Sequence, residues 1–245
     1  MISSSVFWIF QIGLASSWEL VLINPSHVFY WIILCVASAL YLAWFCSRKE
    51  EKTKQALLDQ ISFVLLSIGI FWWVLWLDFE WLKFASPVLF WAIFAYLTYD
   101  SAKNGVFSKN LKLAIFFGGI FFWSTIAYGL LTVIGWGLWL VLLIFFLSFA
   151  LISWPSICLL GDHRSQRIKA WFLILFLSAE LFSVIAWLPF TGPMLSVILT
   201  IGLLFIYDLE KYYISPEKIR TKIIAKKIFV YLFFLAGVLF STPWH

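Results

Sequence analysis

"FAYLTYDSAKNGVFSKNLK", residues 94–112, decides how this chain is to be read. An apolar run stops at Tyr99-Asp100, a short polar stretch carries Lys103, Lys109 and Lys112, and a second apolar run follows at once. The same grammar recurs 108 positions later, where "LLFIYDLEKYYISPEKIRTK" breaks at Tyr207-Asp208. Long apolar segments joined by brief basic connections are the pattern of helices that cross a bilayer, whose hydrocarbon core takes about 20 helical residues to span.

Composition extends that reading to the whole chain. Of its 245 residues 64% are hydrophobic and 12% charged, and the mean hydropathy is +0.99, whereas soluble domains carry roughly 25% charged residues. The apolar runs are apolar on every face and do not alternate with polar residues, which implies helices and excludes a barrel. The longest polar connection, about 208–227, is too short for a soluble domain. A single membrane domain over 1–245 is therefore expected, with any site inside the bilayer or at its interface. The net charge of +5 is explained by topology, and nucleic acid is set aside as a partner. Cys35, Cys46 and Cys158 are too dispersed for a disulfide framework or a CxxC metal site. The first residues lack a basic n-region and a small-x-small cleavage site, so they are expected to remain in the mature chain.

Spanning helices are predicted near 27–46, 58–77, 86–100, 113–131, 134–154, 171–189, 193–207 and 226–242, eight core helices in an all-α bundle. Basic residues sort among their connections. Arg48, Lys49, Lys52 and Lys54 fall in one; Lys103, Lys109 and Lys112 in the next alternate one; Arg164, Arg167 and Lys169 in the third; and Lys211, Lys218, Arg220, Lys222, Lys226 and Lys227 in the fourth. These are sixteen of the seventeen Lys and Arg residues, and the positive-inside rule puts them in the cytoplasm and the C-terminus on the outer side. Only Lys83, beside Asp78 and Glu80, lies opposite. Residues 5–22 are ambiguous: Gln11, Ser16, Ser17 and Glu19 dilute their apolarity, and an outer interfacial or re-entrant helix is the reading adopted over a span. Pro25 breaks the chain after it, and Ser26 is placed to cap the next helix.

The sixteen tryptophans are read as interfacial belt or packing residues, with Trp72, Trp73, Trp76, Trp81, Trp136, Trp187 and Trp244 toward outer ends. Gly118-Gly119 and Gly135-Trp136-Gly137 are read as close approaches between helices.

Offsetting the chain by 108 residues pairs Tyr99 with Tyr207, Asp100 with Asp208, Lys103 with Lys211 and Trp31 with Trp139. A tandem four-helix repeat, 27–131 and 134–242, is the corresponding expectation, both copies inserting with the same orientation. Chemically, the two Tyr-Asp pairs invite an aspartyl dyad sharing one proton. Intramembrane aspartyl proteases use two helix-borne aspartates, one of them in a Tyr-Asp pair, and the resemblance ends there: neither Asp100 nor Asp208 follows a Gly-x-Gly. The plainer reading has each Asp ending its helix at the interface, solvated, with its Tyr as a headgroup anchor.

Glu180 stands apart. It lies in the middle of "AWFLILFLSAELFSVIAWLPF", residues 170–190, where an ionised side chain costs about 2.5–3.5 kcal/mol on insertion scales. The alternatives are a proton or cation relay and a neutral carboxyl hydrogen-bonded between helices, with Ser183, Ser67, Ser148 and Thr200 as partner candidates. Arg164 and Arg167, in "GDHRSQR", are candidate contacts for lipid phosphates or simply a positive-inside loop. His27, His163 and His245 fall in separate connections and specify no metal, and no cofactor motif is present. The leading expectation is a non-catalytic membrane-embedded binding or accessory subunit for a lipid, a hydrophobic ligand or a partner protein. A proton-linked transporter with Glu180 in its path is second, and an interfacial enzyme using Asp100 and Asp208 third.

Overall fold

The computed structural model describes residues 4–49, 54–77, 80–160, 164–214 and 221–241. Asp78, Lys52, His163, Lys218, Arg220, Trp244 and His245 lie outside them. The described residues are all-helical: α1 (Ser4–Ile23), α2 (Val28–Cys46), α3 (Lys54–Leu75), α4 (Glu80–Asn104), α5 (Lys109–Thr132), α6 (Leu138–Ile157), α7 (Arg164–Ile185), α8 (Gly192–Ile214) and α9 (Thr221–Ser241), with one 3₁₀ turn, Pro25–His27, after α1. Eight of them, α1 to α8, are long and apolar enough to cross a membrane.

These eight differ from the expected eight, because α1 is among them. Residues 5–22 form a helix long and apolar enough to cross a membrane; α1 packs on α2, α3 and α4 and buries Phe7, Leu14, Trp18 and Val21. Two of the polar residues that obscured it, Gln11 and Ser17, are buried and donate hydrogen bonds inside the protein. The Gln11 amide donates to Thr98 Oγ1 at 2.5 Å, and the Ser17 hydroxyl donates to the Leu14 carbonyl at 2.7 Å. A polar group with its hydrogen bond made inside the protein no longer argues against burial.

Several helices also run past their apolar stretches. α3 begins at Lys54, α7 at Arg164, and α8 continues to Ile214. Lys, Arg, Gln and Glu are good helix formers with long stems that lie along apolar surface, so a helix does not stop where hydropathy falls. Asp100 and Asp208 consequently sit inside α4 and α8 and do not end them.

The chain forms two compact units, Met1–Gly119 and Ile120–His245. In the first, α2 also packs on α3 and α4. Gly13 of α1 makes the close approach: a Cβ there would come within 2.8 Å of Ser38 Oγ on α2, the small-residue contact that lets two helix backbones approach. Rings fill the rest, with Phe10 stacked on Tyr41 at 3.8 Å between centroids and Phe63 edge-on to Phe94. α4 closes on Gly105, whose φ of +73° and N–H bond to the Ser101 carbonyl at 2.7 Å form a left-handed C-cap. The Gly105 carbonyl in turn accepts from the Lys49 N–H at 2.8 Å, and Ser108 Oγ accepts from the Leu111 N–H, capping α5. Ser26 caps nothing; its hydroxyl donates to Asn24 Oδ1 at 2.5 Å. Lys112, expected as a loop lysine, lies in α5 and forms an ion pair with Asp59 of α3 at 2.7 Å, the side chains 8% and 0% exposed.

In the second unit α6 packs on α7, α7 on α8 and α8 on α9. Its centre is a column of stacked rings: Tyr128 on Phe182 at 4.4 Å, Phe182 on Phe145 at 4.7 Å and Phe145 on Phe149 at 5.6 Å. Offset stacks of this kind add about 0.5–1.5 kcal/mol each beyond area burial. The Tyr128 hydroxyl donates to the Phe182 carbonyl at 3.1 Å, and Gly192 sits against the Tyr128–Gly129 backbone. Gly135 and Gly137 are not close-approach points. A Cβ at either meets nothing within 4 Å among the described residues, and Gly135 adopts φ +75° in the exposed connection between α5 and α6. Of the expected outer tryptophans Trp81 and Trp187 are well exposed, whereas Trp73 is buried edge-on to Phe90.

Candidate functional site

Three concavities lie in the second unit, and two of the sequence-derived candidates, Glu180 and Ser183, line the third of them. The first is an apolar cavity of about 260 Å³. α7 lends it Leu181 and Ile185; α8 lends Ile198, Gly202 and Phe205; α9 lends Ile228, Tyr231, Leu232 and Leu235. Ile198, Gly202 and Phe205 follow helical spacing on one face of α8, and the missing side chain of Gly202 opens the space. A cavity lined by Leu, Ile and Phe stays dry and accepts apolar molecules. Asp208 holds this site together: Lys227 Nζ and the Tyr231 hydroxyl, both on α9, each donate to its Oδ2 at 2.7 Å. The carboxylate thereby ties α9 to α8 through charge-assisted bonds.

The second concavity, about 470 Å³, lies between α7 and α8 at their basic ends and is lined by Gln166, Lys169, Ala170, Leu173, Glu210 and Ile214. It occupies another face of α8, in line with the buried stripe Leu199, Leu203, Tyr207 and Glu210. Glu210 is only 5% exposed, and neither of its carboxyl oxygens meets a hydrogen-bond donor among the described residues. Leaving a buried polar group unpaired costs about 1–3 kcal/mol, and more when it is charged. Lys169 and Gln166, on α7, are exposed at the rim.

The third is an open groove lined by Leu142 of α6 and by Phe176, Ala179, Glu180, Ser183 and Val184 of α7. Glu180 is exposed on the outward face of α7. Among the described residues no hydrogen bond to its carboxyl is present, and the hydroxyls named for it each donate to a carbonyl of their own helix. Ser183 donates to the Ala179 carbonyl at 2.8 Å, Ser148 to Ile144, Thr200 to Ser196, and Ser67, in the first unit, to Phe63.

The two Tyr-Asp pairs have different surroundings. In the first unit Tyr99 is exposed and stacks on Trp8 at 6.4 Å, and Asp100 is exposed beside it. In the second Tyr207 is buried, with its hydroxyl donating to the Ser156 carbonyl at 3.3 Å, so it is no headgroup anchor. Arg164 is exposed at the start of α7, and Arg167 has a buried Nε without an acceptor among the described residues. No group of three His, Cys, Asp or Glu residues comes together among the described residues.

Sequence reasoning passed over Glu210, Gly202, Tyr231 and the Asp59–Lys112 pair. The signal for Glu210 was its place seven residues after Leu203 and three after Tyr207, on one helical face, once α8 is extended to Ile214. Together the fold and these pockets define a class, a protein all-helical over the described residues, with eight helices long and apolar enough to cross a membrane and with pockets in its second unit. No protein-family model, curated protein or solved structure matches the chain.

Proposed function

We propose that this is a multi-pass membrane protein that binds an apolar or amphiphilic ligand in its second unit. In this reading α1 to α9 all span, the connections rich in Lys and Arg face the cytoplasm, and the C-terminus lies on the outer side. The sorting of basic residues supports that topology. The observation that carries the binding role is the apolar cavity between α7, α8 and α9, whose Leu, Ile and Phe lining suits an apolar occupant. Its volume, about 260 Å³, lies just under the roughly 300–1,000 Å³ of small-ligand pockets, which suits one hydrocarbon chain or a compact hydrophobic molecule.

The test is Gly202→Leu. A Cβ at Gly202 stands at an ordinary 3.5 Å from Leu181 Cδ1, so the helix tolerates a side chain there, and the Leu branches enter the cavity. Lipids and other small molecules retained by the purified protein are counted by mass spectrometry. The variant should keep its fold and lose a bound species that the wild type retains; identical retention in both would overturn the reading. Glu180 favours a second, compatible role. A carboxyl exposed on the apolar part of α7 supports association with a partner helix that carries a cation, more than a relay inside this chain, since relay carboxyls face a bundle interior or a water-filled cavity.

A further inference from the structure

We propose that the pocket between α7 and α8 is a headgroup site for a phospholipid that ends in a primary ammonium, phosphatidylethanolamine being the simplest case. Glu210 receives the ammonium and Lys169 the phosphate. The inference rests on the membrane reading above, which sets this pocket at the cytoplasmic face. Three observations carry it. Glu210 is buried and lines the pocket with both oxygens lacking donors among the described residues. A deprotonated carboxyl is acceptor-only, so what completes it is a group with several N–H donors and a positive charge. An ammonium has three such donors; a trimethylammonium has the charge and none.

The rim supplies the second half of the headgroup. Lys169 and Gln166 share the pocket with Glu210, and an amine-phosphate headgroup carries one charge for each of the two ionic side chains. The remaining lining, Ala170, Leu173 and Ile214, is apolar. Beyond it the outward face of α7 presents Leu173 and Phe176, both exposed, along which acyl chains can lie. The pocket also sits at the right depth: Glu210 is two residues inside the end of the apolar stretch Gly192–Tyr212, about 3 Å at 1.5 Å per helical residue.

The experiment uses the full chain in nanodiscs of phosphatidylethanolamine, phosphatidylcholine and phosphatidylglycerol in equal parts with identical acyl chains. The lipid that survives detergent extraction is identified by mass spectrometry. The wild type should retain the ethanolamine lipid about tenfold over the choline lipid, the ratio expected for one charge-assisted hydrogen-bond set. Glu210→Gln, which keeps the side-chain shape, should bring the two to near parity. A series in the wild type alone, from ethanolamine through its N-methyl and N,N-dimethyl forms to choline, should lose retention stepwise as donors disappear, and it does not depend on any variant folding. Retention that is flat along this series, or an unchanged preference in Glu210→Gln, overturns the headgroup assignment while lipid retention as such still supports the binding reading. Wild-type protein that emerges free of all lipid overturns both. Exclusive retention of the glycerol lipid would make the site anion-selective, centred on Lys169, and would also overturn the proposal.

Discussion

The ion pair between Asp59 and Lys112 offers the sharpest test of the packing in the first unit. Asp59 lies five residues into α3, about 7.5 Å along the helix, and is fully buried, while Lys112 retains 8% exposure. At 2.7 Å and an effective dielectric near 20, two unit charges attract by about 6 kcal/mol. Removing each ion from water costs several kcal/mol, so the intact pair nearly breaks even against apolar residues of similar volume. Breaking it is another matter. Lys112→Met leaves a fully buried carboxylate without its ion-pair partner and should cost about 3–5 kcal/mol, the range for a broken buried pair. Asp59→Leu should cost less, about 3 kcal/mol, because a lysine stem can carry its ammonium toward the interface. The double variant should return to within about 2 kcal/mol of wild type. Reversible unfolding in mixed micelles titrated with dodecyl sulfate, arranged as a double-mutant cycle, measures all three. Additive losses, with the double variant the least stable, would refute a coupled buried pair.

Two further outcomes follow from the same structure. Glu180→Leu should fold at least as well as wild type, since it removes an insertion cost of about 2.5–3.5 kcal/mol and no hydrogen bond to the carboxyl is present among the described residues; a loss beyond about 2 kcal/mol in the micelle titration would place Glu180 in an interhelical bond after all. Cysteines introduced at the exposed positions Asn104 and Pro193 should react with an impermeant maleimide from opposite sides of the membrane, Asn104 from the cytoplasm, and labelling from one side would undo the topology drawn from the basic connections.

The sequence by itself determined the all-helical class, the position of most helices and the bias of Lys and Arg to alternate connections. These are properties of hydropathy and charge summed over windows of about twenty residues, and summation needs no knowledge of neighbours. It left residues 5–22 ambiguous because Gln11 and Ser17 count as polar in any sum, whatever they bond to. Only the fold supplied Thr98 and the Leu14 carbonyl as their partners. The sequence marked Glu180 as a carboxyl in the middle of an apolar stretch; the structure puts it five residues before the end of α7, and which way it faces depends on the packing of α7 against α6 and α8. That packing turns it outward and turns Glu210 inward. Asp208 was read as a solvated helix end, and the helix continues six residues beyond it to bring it under Lys227 and Tyr231. Burial, hydrogen-bond partners and cavities are pairwise properties of residues far apart in the chain. In a sequence so uniformly apolar, the few polar side chains look alike until tertiary structure assigns each its neighbours.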